Sequence, residues 1–102
     1  MTELLKSNLS ILKQLCKQRS VAELYAFGSA VSGNFNQQSD LDFAVVFEAS
    51  LSPLEKGEAF FALKDDLENL FGVEVDLISY LALKNPIFRS ELDKTKVSLY
   101  AA

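Results

Sequence analysis

A helix with well-marked ends lies between two apolar strands, and it constrains the fold more than any other feature. A capping serine, Ser52, is followed by proline and then by Glu55 at the third helical position, a combination typical of a helix start. Apolar residues recur at helical spacing until Gly72 ends the pattern. Apolar strands are predicted on either side, over residues 43–47 and 73–78. A strand, a helix of about 18 residues and a second strand form a crossover, so the two strands are predicted to be parallel neighbours.

The rest of the chain predicts further elements that would pack against this unit. Apolar side chains from Leu5 to Cys16 repeat at helical spacing, which predicts an amphipathic helix over residues 2–19 with Cys16 in the core. Helical spacing also assigns the aromatic side chains Phe60, Phe61 and Phe71 to the core. The other predicted segments are a strand over 21–27, a short helix over 29–33, a polar loop over 34–39, helical turns over 81–84 and 86–92, and a last strand over 97–100. We therefore expect an α/β fold in one domain over residues 1–102, with a mixed sheet and helices packed against it.

Composition excludes several classes of function. The chain of 102 residues has no histidine and a single cysteine, so histidine-based catalysis, zinc sites and intramolecular disulfides are excluded. Its 14 acidic and 10 basic residues give a net charge of -4, which disfavours nonspecific binding of nucleic acid. No apolar run approaches the ~20 residues of a membrane span, and the N-terminus lacks the pattern of a secretory signal, so we expect a cytoplasmic protein. Catalysis would have to use carboxylates, hydroxyls, amines or a hard metal ion.

Two aspartates precede the first apolar strand of the crossover. Asp40 and Asp42 are two positions apart, so on a strand they point to the same face, about 7 Å from each other. Two carboxylates placed side by side require a compensating charge, most simply a hard divalent cation such as Mg²⁺ bound together with a phosphorylated ligand. The alternative is that Asp40 forms a local turn and that Asp42 is merely exposed.

A glycine–serine pair and a third aspartate add to this pattern. Gly28 would let the backbone approach a ligand closely, and Ser29 could donate to a phosphate oxygen, although an ordinary strand-to-helix turn would have the same residues. Asp76 lies in the apolar strand after the long helix, where an unpaired buried carboxylate would be costly unless it faced a site. Glu74 would point to the same face of the strand as Asp76, but it is the second candidate for the third carboxylate because it lies nearer the start of the strand and the solvent.

Taken together, these segments resemble the nucleotidyltransferase superfamily that includes DNA polymerase β. The resemblance is carried by residues 26–33 around Gly28-Ser29, residues 39–45 around Asp40-Leu41-Asp42, and the later segment 75–78 around Asp76. It covers nearly the whole chain and is closest to the minimal nucleotidyltransferase (MNT) domains of bacteria and archaea. The resemblance implies that Asp40, Asp42 and Asp76 bind Mg²⁺, that Asp76 assists deprotonation of an acceptor hydroxyl, and that Gly28 and Ser29 hold the triphosphate of ATP.

The resemblance also implies a partner protein. Minimal domains of this kind commonly occur with a small helical HEPN toxin, which they neutralise as antitoxins by transferring AMP from ATP to a tyrosine. This chain departs from the usual pattern at Ala30, Val31 and Ser32, where family members often have arginines, so less charge offsets the triphosphate. The alternatives are a binding module that neutralises its partner by contact alone, with a vestigial nucleotide site, and an enzyme acting on a small-molecule or nucleic-acid acceptor. Each of these functions is compatible with a homo-oligomer of this chain.

Overall fold

The computed structural model describes residues 3–28 and 41–102, which form a four-stranded mixed sheet with helices packed against it. The expected α/β fold is therefore confirmed. In chain order the elements are α1 (Glu3–Ser7), α2 (Leu9–Gln18), β1 (Val21–Phe27), β2 (Leu41–Phe47), α3 (Pro53–Phe71), β3 (Val75–Ser79), a 3₁₀ helix (Tyr80–Ala82), α4 (Pro86–Thr95) and β4 (Val97–Ala101). The predicted short helix at 29–33 and the loop at 34–39 lie outside the described residues.

The sheet has the strand order β3-β2-β1-β4. Strands β2 and β3 are parallel neighbours joined through α3, which confirms the predicted crossover. Strand β1 is antiparallel to both β2 and β4. Strand β2 is thus an interior strand, and its run Phe43, Ala44 and Val45 is fully buried, as its apolar character on both parities predicted.

Helix α3 begins and ends where its local sequence predicts. The Ser52 side chain accepts a hydrogen bond from the backbone N–H of Glu55, and the Glu55 carboxylate accepts one from the backbone N–H of Ser52. This reciprocal pair satisfies two backbone donors that the first turn of a helix leaves without partners. Gly72 closes the helix with a φ of 70°, in the left-handed region that glycine adopts without a Cβ penalty.

The core lies between the sheet and the helices α2 and α3. Leu63 and Leu67 of α3 are fully buried there, and the ring of Phe71 stacks on that of Phe43 with centroids 5.9 Å apart. Cys16 of α2 is buried as predicted, and burial raises the pKa of its thiol to about 12, which makes it an inert core residue.

Two predictions about helices are wrong. Phe61 is 68% exposed although it was assigned to the core, because it follows the half-buried Phe60 and consecutive residues cannot occupy one helical face. The N-terminal segment is two helices and not one. Asn8 interrupts it, with its side-chain amide donating to the carbonyl of Leu4 and its backbone N–H to that of Leu5. Such local hydrogen bonds compete with continuation of the helix.

Element boundaries shift elsewhere. The strand predicted over 73–78 is Val75–Ser79, the turn predicted over 81–84 is the 3₁₀ helix Tyr80–Ala82, and the turn predicted over 86–92 is the full helix α4. The Asn85 side chain caps α4 by accepting from the backbone N–H groups of Ile87 and Phe88, so the helix begins at Pro86 as predicted and continues three residues further, to Thr95. None of the described helices is both long enough and apolar enough to cross a bilayer.

Candidate active site

The end of β1 lies directly against the Asp42 carboxylate. Strand β1 ends at Phe27, which is the register partner of Asp42 on β2. Gly28 follows with a φ of 58°, and a Cβ added there would lie 2.5 Å from Oδ2 of Asp42. That separation is shorter than real carbon–oxygen contacts, so only glycine allows the backbone and the carboxylate to be this close. The requirement for glycine at this position therefore has two causes, its backbone conformation and the proximity of Asp42.

Asp42 and Asp76 are brought together by the parallel pairing of β2 and β3. They are direct register partners, so both side chains point to the same face of the sheet from strands about 4.8 Å apart. Their neighbours in the same ladder, Phe43 and Leu77, are buried on the other face. The three described residues Gly28, Asp42 and Asp76 thus lie close together at one end of the strands β1, β2 and β3.

Asp76 is less buried than the sequence predicted. The side chain of Asp42 is half-buried, whereas Asp76 is exposed even though Val75 and Leu77 beside it are buried. The desolvation cost that the apolar strand suggested for Asp76 does not arise, because alternate residues of a strand face opposite sides. Glu74 precedes β3, is exposed, and uses its backbone carbonyl to accept from the backbone N–H of Leu41.

Asp40 and Ser29 lie outside the described residues. Within residues 3–28 and 41–102, no group of three acidic, histidine or cysteine side chains could hold a metal ion. The pair Asp42 and Asp76 nevertheless offers two neighbouring carboxylates on one face, a donor set of oxygen atoms alone. Such ligands suit Mg²⁺, which is commonly held by one or two carboxylates together with substrate phosphates.

The C-terminal segment covers part of the same face of the sheet. The rings of Phe27 and Phe88 pack edge to face, with their centroids 6.3 Å apart. The ring centroids of Tyr25 and Tyr80 are 5.9 Å apart. These contacts place the 3₁₀ helix and α4 on the side of the sheet to which Asp42 and Asp76 point. Two basic side chains lie over the Tyr80 ring, Arg89 of α4 and Lys96 directly after this helix.

A charged network holds this covering layer together. Asp93 accepts hydrogen bonds from Lys96 Nζ at 2.7 Å and from the Tyr80 hydroxyl at 2.5 Å. The hydrogen bond from Lys96, followed by that from Tyr80, lowers the pKa of Asp93, and the same bond to Asp93 raises the pKa of Lys96. Burial is the main cause of the raised pKa of the Tyr25 hydroxyl.

Sequence reasoning did not associate these residues with the site. The Asn85-Pro86 pair marks the start of α4, but no spacing rule connects this helix with β1, because the contact is made across the sheet. The usable signal was the combination of aromatic and basic residues in the segment after Asp76.

Comparisons with known proteins identify the family and the fold. The nucleotidyltransferase domain family matches this chain over residues 9–99. The protein adenylyltransferase MntA of Thermococcus cleftensis is 38% identical to it over 80 residues, covering 78% of this chain and 77% of the relative.

Two solved structures share the fold. One is a toxin–antitoxin complex with AMP-PNP, with a TM-score of 0.72 and 21% identity over 93% of this chain and 74% of the other. The second is a tri-AMPylated HEPN toxin of Shewanella oneidensis in complex with an MNT antitoxin, with a TM-score of 0.65 and 18% identity over 95% of this chain and 72% of the other. The match to the family over most of the chain, together with the MntA relative, shows that this chain is a member of the nucleotidyltransferase domain family.

Proposed function

We propose that this nucleotidyltransferase is a Mg²⁺-dependent protein adenylyltransferase that transfers AMP from ATP to a tyrosine hydroxyl of a helical HEPN toxin, and that it acts as the antitoxin of that pair. The observation that carries the proposal is the pairing of Asp42 with Asp76 on one sheet face, against the backbone of Gly28. Support for a protein acceptor comes from the MntA relative, a protein adenylyltransferase, and from the AMPylated HEPN toxin in the similar complex.

Each proposed site residue has a distinct role. Asp40, Asp42 and Asp76 would hold Mg²⁺, which when bound neutralises the charge that develops on the phosphates. Gly28 and Ser29 would hold the triphosphate, since a glycine lets the backbone approach a ligand closely and a serine hydroxyl can donate to a phosphate oxygen. Asp76 is exposed and can therefore reach the hydroxyl of an incoming protein side chain.

The proposed reaction is a displacement at the α-phosphorus of ATP. The tyrosine oxygen forms a new bond to this phosphorus, while the bond between the α-phosphorus and the oxygen that bridges to the β-phosphate breaks. Pyrophosphate leaves with that oxygen, and the proton of the tyrosine hydroxyl passes to the Asp76 carboxylate and then to solvent. The open edge of the sheet at Asp76 gives the acceptor protein access to the site.

Labelled ATP tests this proposal directly. The purified chain is incubated with the protein encoded by the adjacent gene and with ATP labelled at either the α- or the γ-phosphate, in Mg²⁺ or in EDTA. We expect label from the α-position alone to become attached to the partner, only with Mg²⁺, and mass spectrometry to locate the added AMP on tyrosine. Transfer of γ-label would identify a kinase. A stable complex without any transfer would favour neutralisation by contact alone.

Replacing Gly28 by alanine should lower activity more than stability. The new Cβ would meet Asp42 Oδ2 at 2.5 Å, so the carboxylate must move from its position. A displacement of this size at a reacting group is expected to lower transfer by about tenfold to a hundredfold. The positive φ should cost about 1 to 2 kcal/mol of unfolding free energy. Initial rates of AMP transfer and urea denaturation measure the two effects separately.

Gly72→Ala provides a matched control for that variant. Gly72 has a similar φ of 70°, but an added Cβ there has nothing within 4 Å. We expect the same backbone cost of about 1 to 2 kcal/mol and a transfer rate within about twofold of wild type. Equal losses of activity in the two alanine variants would show that backbone strain, and not the contact with Asp42, explains the effect at Gly28.

A further inference from the structure

The residues that carry the proposed nucleotide site contain no positive charge. From Ser20 to Glu55 the chain has neither lysine nor arginine, a stretch that includes Gly28, Asp40 and Asp42. Bound ATP would add about four negative charges to the three aspartates, so Mg²⁺ alone would leave the site strongly anionic. A cation from another part of the chain would lower that charge.

Helix α4 contributes basic residues on the correct side of the sheet. Asp42 and Phe27 are register partners, so their side chains lie on the same side of the sheet. The Phe27 ring packs edge to face against that of Phe88, with centroids 6.3 Å apart. The residue after Phe88 is Arg89, whose guanidinium carbon lies 4.6 Å from the centroid of the Tyr80 ring. This cation–π contact with Tyr80 places the Arg89 guanidinium on the side of the sheet to which Asp42 and Asp76 point.

The basic residues of α4 and of the position that follows it differ in their partners. Lys96 Nζ donates to Asp93 at 2.7 Å, and Lys94 Nζ is 3.7 Å from a Glu91 carboxylate oxygen. Arg89 has no carboxylate oxygen within 4.0 Å in the described part of the chain. Arg89 acts on Asp93 electrostatically at longer range, but Asp93 already accepts from Lys96 at 2.7 Å, so Arg89 has no close carboxylate of its own among the described residues. A guanidinium has five N–H donors, so one that makes a cation–π contact can still donate to phosphate oxygens.

We propose that Arg89 is a phosphate-binding residue of the nucleotide site and contacts the phosphates of ATP beyond the α-phosphate. It supplies from α4 the positive charge that the segment around Gly28-Ser29 lacks. Tyr80 is a positioning residue, because its ring orients the guanidinium. This inference rests on the proposed function, since it requires that ATP binds at Asp42 and Asp76.

Titration of ATP and of AMP into wild type and Arg89→Gln, in Mg²⁺, tests the inference. Glutamine keeps a polar side chain but removes the charge. A charge-assisted contact with the outer phosphates predicts a Kd for ATP that rises about tenfold to a hundredfold, and a Kd for AMP that changes less than about twofold. Arg89→Lys should recover part of the affinity for ATP, because it restores the charge without the planar fork.

Lys13→Ala is the control, because Lys13 is an exposed cation on α2, on the opposite side of the sheet. Its loss should leave both Kd values within about twofold of wild type. Equal weakening of ATP and AMP in Arg89→Gln, with a lower melting midpoint by circular dichroism, would show a purely structural role for Arg89 and overturn the inference.

Two further outcomes separate the inference from the proposed function. If Arg89→Gln binds ATP as wild type does, while Asp42→Asn does not bind it, the Arg89 assignment is wrong and the proposed site remains. If the folded wild-type chain binds no ATP in Mg²⁺, both the proposed function and the role of Arg89 are overturned.

Discussion

Asp42→Asn should reduce AMP transfer by about a thousandfold or more, because the amide removes the negative charge of the proposed Mg²⁺ ligand, and metal ions of this kind contribute several kcal/mol to the stabilisation of a phosphoryl-transfer transition state. The Asp42 side chain is half-buried between its register partners Phe27 and Asp76. Asparagine has nearly the same shape, so the free energy of unfolding should change by less than about 1 kcal/mol. Initial rates with α-labelled ATP and urea denaturation measure the two quantities.

The same chemical change elsewhere provides the control. Asp65 is an exposed carboxylate on α3, in the helical layer on the other side of the sheet. Asp65→Asn should leave the transfer rate within about twofold of wild type. Retention of more than a tenth of wild-type activity in a folded Asp42→Asn variant would contradict the assignment of Asp42 as a ligand.

Leu67→Ala should destabilise the fold by about 2 to 5 kcal/mol, which for a chain of this size lowers the melting midpoint by roughly 10 °C or more. Leu67 is fully buried in the core between α3 and the sheet, next to other buried residues of the same helix. The smaller side chain removes apolar contacts and leaves a cavity that its close-packed neighbours fill only in part. Thermal and urea unfolding measure the loss.

Leu54→Ala is the matched control, since it makes the same substitution in the same helix at a residue that is 74% exposed. Its effect on the free energy of unfolding should be below about 1 kcal/mol. Transfer activity of the Leu67 variant, measured well below its melting midpoint, should stay close to wild type. A stable Leu67→Ala protein that has lost activity would instead place this residue in the site.

Features that depend on neighbouring residues in the chain were predicted well. Both ends of α3 follow from Ser52, Glu55 and Gly72, which satisfy the backbone groups of the terminal turns by local contacts. The parallel pairing of β2 and β3 follows from the order of strand, helix and strand and from the length of the crossover.

Features that depend on contacts across the sheet were not predicted. The exposed position of Asp76 and the exposed ring of Phe61 both result from which face of an element meets the core. The contact of Phe88 with Phe27 joins residues far apart in the chain, so it cannot be predicted from a local sequence pattern.

The amino-acid sequence by itself determined the long capped helix, the crossover and the three short segments that identify the nucleotidyltransferase family, because each depends on local backbone chemistry or on residue spacing. Only the tertiary structure decided that Asp42 and Asp76 share a register position, that Gly28 lies against the Asp42 carboxylate, and that α4 brings Arg89 to the same face. A shift of one residue in the pairing of β2 and β3 would turn one aspartate to the opposite face. That register is set by the burial of residues such as Phe43 and Leu77 against the helices, a property of the packed core as a whole.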